Sequence, residues 1–141
     1  MASTATPYGF RPINLIGGQP YAGSTRQIKI ASGYGTNIFT GSVVDDPDAL
    51  YQVQADASMA QATLGANAPL AAVQSTSTGS TTTGNSTTAL DATVATTTGI
   101  AFRVVDFVDS PESSVGDSYT DVIVKFNASA GGHSYTNPVG I

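Results

Sequence analysis

The sequence predicts a mainly β protein: an antiparallel β-sandwich or partly closed β-barrel, with an extended N-terminal arm and at most one or two short helices. Three observations carry this. Two runs dense in Val, Ile and Phe, 100–108 and 119–127, are joined by a polar connection holding Pro111 and Gly116. Shorter runs before them alternate apolar and polar residues with period two. Such runs outnumber stretches with helical spacing.

In chain order, residues 1–25 hold Pro7, Pro12 and Pro20 among four glycines, with Tyr8, Phe10, Ile13, Leu15, Ile16 and Tyr21 between them. Proline fixes φ and removes an amide donor, so neither a helix nor a central strand is expected. The expectation is an extended arm with apolar anchors; the alternative is a terminal coil folded back on its own domain. Residues 26–141 read as one β-domain. Arg26 to Ala31 alternates as a strand, Asn37 to Val44 is a second, weakened by Gly41, and Leu50 to Gln54 is a third. Between the last two, Asp45, Asp46 and Asp48 around Pro47 read as a solvated turn. Ala55 to Ala66 is the one stretch with helical spacing, with Asp56 placed as its N-cap. Gln74 to Thr88 has eleven Ser or Thr in fifteen residues and builds no core; it reads as a surface loop or as a Thr-rich β extension that pairs with a neighbour. Leu90 to Thr98 adds a further strand before the central pair.

In that pair, alternation places Ile100, Phe102, Val104 and Val108 on one face with Val122, Val124 and Phe126. The other face is mixed, with Arg103, Val105 and Phe107 beside Asp121, Ile123 and Lys125. Such a face is expected to lie against a second sheet, another subunit or a larger partner, which makes Arg103, Val105, Phe107, Asp121 and Ile123 candidate subunit-interface residues.

Composition bounds the function. Charged residues are 11% of the chain, against about 25% in ordinary globular proteins. A surface covered by Ser, Thr, Asn, Gln and Gly suits packing into an assembly, because neutral polar groups cost less to desolvate than ions. Residues 1–44 hold three bases and no acid, while 45–141 hold ten acids and two bases, so a +3 segment precedes a −8 body. That balance argues against nucleic-acid binding. There is no cysteine, no apolar run long enough to span a membrane, and no charged and apolar leader at the N-terminus. Chemistry is sparse as well. His133 is the only histidine, set in a Gly-Gly-His-Ser loop, and the acidic turn lacks the spacing and closing glutamate of a calcium loop. No catalytic residue, cofactor or metal site is expected.

The stretch TPYGFRPINLIGGQPYAGSTRQIKIASGYGTNIFTGSVV (6–44) resembles the opening of small structural proteins from the head-gene region of tailed bacteriophages, which decorate or cement the capsid. DDPDALYQVQAD (45–56), AQATLGANA (60–68) and FRVVDFVDSPESSVGDSYTDVIVKFN (102–127) are similar to the same group. Longer members carry an additional β-rich stretch between the TGSVV-like and DDPD-like pieces, whereas here Val44 abuts Asp45. The resemblance implies a non-enzymatic virion protein on the capsid exterior, present in the host cytoplasm before assembly. Its implied partners are the major capsid protein and itself, as a homotrimer on the particle, with no nucleic acid and no membrane. The apolar anchors and basic charge of the arm lead to the further expectation that it docks on the shell, with Tyr8, Phe10, Ile13 and Leu15 buried in grooves and Arg11 paired with acidic groups there. The competing class is a receptor- or carbohydrate-binding β-domain of a virion fibre, for which exposed stacking rings would be the discriminating feature.

Overall fold

The computed structural model describes residues 4–15, 29–42, 49–71 and 78–127. The protein is mainly β. Five strands, β1 (Arg11–Leu15), β2 (Ala49–Gln54), β3 (Asn67–Ala68), β4 (Phe102–Phe107) and β5 (Asp121–Phe126), form one antiparallel sheet in the order β1-β2-β5-β4-β3. The expected pair 100–127 is its centre, and LYQVQ lies beside it as part of β2.

Register assigns the faces. Val53 pairs with Val122, and Tyr51 with Val124, across β2 and β5. Val104 pairs with Val124, and Phe107 with Val122, across β4 and β5. Opposed residues share a face, so these side chains form one inner surface; Val53, Val104, Val122 and Val124 are wholly buried there. Burying each such side chain contributes about 1.5–3 kcal/mol. A bulge between Val104 and Asp106 corrects the strict alternation read from sequence. The extra residue, Val105, turns outward at 39% exposure. Beyond it the parity is reversed: Asp106 is kept off the core and Phe107 is brought into it. Phe107 is therefore a core residue and not part of the mixed face.

The sheet is strongly curled. Phe10, just before β1, lies 4.8 Å from Phe102 on β4 between ring centroids. Three strand spacings on a flat sheet would hold their backbones about 14 Å apart. Phe10, Tyr51, Phe126 and Phe102 make a closed circuit of ring contacts at 4.8–6.1 Å, which draws β1 over the inner face toward β4. Edge-to-face and tilted pairs of this kind contribute about 0.5–1.5 kcal/mol each beyond their burial.

Irregular chain closes the open side. Ala55 and Asp56 follow residue 90, with Asp56 N donating to Leu90 O and Leu90 N to Gln54 O. Met59, wholly buried, is held by its own N–H on Thr120 Oγ1 and by Gly116 N on its carbonyl. These bonds replace the helix expected over 55–66, of which only a 3-10 turn at Gln61–Thr63 forms. Asp56 caps nothing; its Oδ1 accepts from Ala92 N. Ala60, Gln61 and Ala62 face solvent, so no apolar stripe exists to hold a longer helix against the sheet. The strand expected over 90–98 is likewise reduced to single bridges at Leu90 and Ala95.

The outer strands are blunted rather than left as templates for further pairing. β3 is two residues long, and Asn67 is bridged by Ala95. β1 carries Pro12, which offers no N–H, and a bulge between Pro12 and Asn14. Residues 29–31 and 37–42 form no strand apart from a bridge at Thr40. The remainder of 16–28, the Asp45–Asp48 turn, the first part of the Ser/Thr tract and His133 lie outside the described residues.

Candidate interaction surface

Residues 8–15 do not form a free arm. Phe10 is 5% exposed within the core cluster, and Arg11 to Leu15 add a strand to the sheet. For residues 8–15 the coil folded back on its own domain is the arrangement present, with Phe10 covered by the aromatic circuit. Ile13 is half-buried in β1, and Leu15 ends the strand opposite Ala49.

Tyr8 and Arg11 make a corner on the outer side of the sheet. The Arg11 guanidinium lies 3.9 Å above the centroid of the Tyr8 ring. The Tyr8 hydroxyl is buried near Asp121 and Gln52 without a hydrogen bond of good geometry, and Asp121 Oδ1 is likewise buried and unsatisfied. Gln52 Nε2 donates to the other carboxylate oxygen at 3.3 Å. Thr6 N donates to Gln54 Oε1, fastening the preceding residues to β2. Burial first, and the adjacent Asp121 carboxylate second, push the Tyr8 phenol well above the ordinary tyrosine range.

This sets an alkaline signature. The unfolded chain ionises Tyr8 near pH 10, the folded chain only at higher pH. The contribution is thus fully present below about pH 10 and is lost as pH rises above it. Tyr8→Phe is expected to make the fall in stability between about pH 10 and 11.5 shallower, by up to one proton's worth of slope. Urea midpoints across that range check it; parallel slopes for both proteins would show that Tyr8 is not desolvated.

The outer face beyond this corner carries Arg103, Ile123 and Lys125 with Asp121, while Val105 projects at the bulge. Arg103 stands directly opposite Lys125 and donates from Nε to Asn67 Oδ1. Partial burial, and next to it the Arg103 charge, lower the Lys125 ammonium below the usual lysine range. The structure therefore brings four of the five sequence-derived interface residues to the outer side and removes Phe107.

Two features were not read from sequence. Lys29 to Ile38 form a wholly exposed loop, turned at Gly33 (φ 84°), with Ile30 62%, Tyr34 55% and Ile38 48% exposed. Its base is anchored: Phe39 is buried against Gly79, Thr40 N donates to Gly84 O, Ser86 N to Thr40 O, and Phe10 N to Gly41 O. The second feature is a cleft of about 480 Å³ between Tyr8–Pro12 and the turn around 80–87, with Thr40 and Gly41 between them. The reading of Arg26–Ala31 and Asn37–Val44 as strands gave no sign of the loop, and the cleft joins residues more than seventy positions apart.

Among the described residues no three of His, Asp or Glu gather to hold a metal, and no helix is long and apolar enough to cross a membrane. Comparison with family models, with curated proteins and with solved structures finds no match.

Proposed function

We propose that the chain is a structural virion protein that binds the outer surface of a tailed-bacteriophage capsid and stabilises the lattice of its major capsid protein. The observation that carries the reading is the exposed loop with Ile30, Tyr34 and Ile38, which lies inside the stretch resembling phage decoration proteins and stands on an anchored base. Three large apolar side chains on one solvent-facing loop are an interaction feature, since among the described residues the only other exposed large apolar side chains are Val105 and Val115. The loop takes over the docking role that the sequence assigned to Tyr8, Phe10, Ile13 and Leu15. Each loop side chain buried on a shell contributes on the order of 1.5–3 kcal/mol before ordering costs, and the effect is multiplied by the number of copies. The low charge of the chain and its mixed outer face fit the same role. Arg103, Val105, Asp121 and Ile123 are then the surface through which copies meet on the particle, as a trimer.

The test is co-sedimentation with purified shells of the phage that carries the chain. Because all three loop residues are exposed, Ile30→Ser, Tyr34→Ser and Ile38→Ser together are expected to leave the unfolding midpoint nearly unchanged while reducing shell binding by at least about a hundredfold. Equal binding by this variant and the parent would remove the loop from the interface. Failure of the parent to bind any shell would overturn the function itself.

A further inference from the structure

We infer that the cleft between Tyr8–Pro12 and the 80–87 turn binds an acidic saccharide, a sugar ring bearing a carboxylate. Its volume of about 480 Å³ lies within the roughly 300–1,000 Å³ of small-molecule sites. Among the described residues, one charged side chain lines it: Arg11. The Arg11 guanidinium is held over the Tyr8 ring, and its N–H donors form no hydrogen bond or ion pair among the described residues. The side-chain amide of Asn85 and the hydroxyls of Thr40 and Thr87 are similarly uncommitted, in contrast to the Ser86 hydroxyl, which is spent on Thr88 and Thr78.

The cleft is preorganised. Gly9, at φ 79°, packs so closely that a Cβ would come within 2.6 Å of Gly41 O and 2.8 Å of Ser86 Cβ. The backbone bonds of Thr40 to Gly84 and Ser86 fix the opposite wall. A planar cation ringed by neutral donors and acceptors matches one carboxylate plus several hydroxyls. A phosphate dianion would call for more positive charge than one guanidinium. An acidic peptide would need main-chain partners, and Pro12 withholds the amide at that edge. The inference stands independently of the capsid reading.

The experiment is an amide-resolved NMR titration of the full chain with D-glucuronate and N-acetylneuraminate, against D-glucose, acetate and an acetyl-Asp-amide peptide mimic. Expected are saturable shifts at Tyr8, Gly9, Arg11, Thr40, Gly41 and Asn85 to Thr87 with an acidic sugar, and at least about tenfold weaker binding of glucose. Arg11→Gln is expected to weaken the acidic sugar by at least about tenfold while leaving the glucose response unchanged, and Asn85→Ala to weaken both. Both positions are exposed, so the variants retain the fold. The proposal is overturned if no probe saturates below about 50 mM, if acetate gives the same shifts at the same concentration, marking an adventitious anion only, or if the peptide mimic binds more tightly than either sugar.

Discussion

Phe10→Ala is expected to destabilise the protein by about 3–5 kcal/mol, the usual cost of truncating a buried phenylalanine. The ring is 5% exposed and touches both Phe102 and Tyr51, so its loss opens a cavity and breaks the aromatic circuit at two contacts. It also releases the element that holds β1 over the inner face, and that surrounding frame has little freedom to collapse, because Gly9 and Gly41 are already in van der Waals contact. Against a total of about 5–15 kcal/mol, such a loss brings the chain near its folding limit. Urea unfolding followed by tyrosine fluorescence measures it. A change below about 1 kcal/mol would mean that Phe10 is not a core residue in solution and would restore it as a docking anchor. A chain shortened to begin at Ser24 is accordingly expected to fail to fold, rather than to fold and bind weakly.

Gly9→Ala is the second large effect. The residue has φ 79°, which an L-side chain reaches at a cost of about 1–2 kcal/mol, and the new methyl would meet Gly41 O at 2.6 Å and Ser86 Cβ at 2.8 Å. The oxygen is backbone, and it accepts the Phe10 amide, so relief requires moving a hydrogen-bonded segment. Together these give an expected loss of about 2–4 kcal/mol. Gly33→Ala, at φ 84° but with open space around it, is the internal comparison and should cost only the conformational part. Equal effects at the two positions, read from thermal midpoints, would show that the contact between Gly9 and Gly41 is not tight.

The central strands were legible because β-branched and aromatic density marks them locally, as at 102–107 and 121–126, and LYQVQ was legible as a short strand, though its pairing with Arg11–Leu15 and Asp121–Phe126 was not. The Val105 bulge was not legible. Nothing in FRVVDF distinguishes an uninterrupted strand from one that skips a residue; the choice is made by the cost of burying Asp106 against the gain of burying Phe107. The helix expected over 55–66 failed for a related reason, since its backbone groups find partners at Leu90, Thr120 and Gly116 that no local pattern reveals. Of the candidate subunit-interface residues, Arg103, Val105, Asp121 and Ile123 lie on the outer side of the sheet, away from the core valines. The sequence assigned docking to the proline-rich start because prolines and rings read as an arm; that the rings would close a curled sheet depends on contacts with positions 51 and 102.

The most direct test of the proposed docking is the density of a decorated particle at side-chain resolution. Expected is residues 29–38 lying against the shell, with Ile30, Tyr34 and Ile38 covered and Phe10 inside its own domain beside Phe102. Residues 4–15 drawn out of the sheet and laid across the junctions of shell subunits, with the 29–38 loop in solvent, would contradict it.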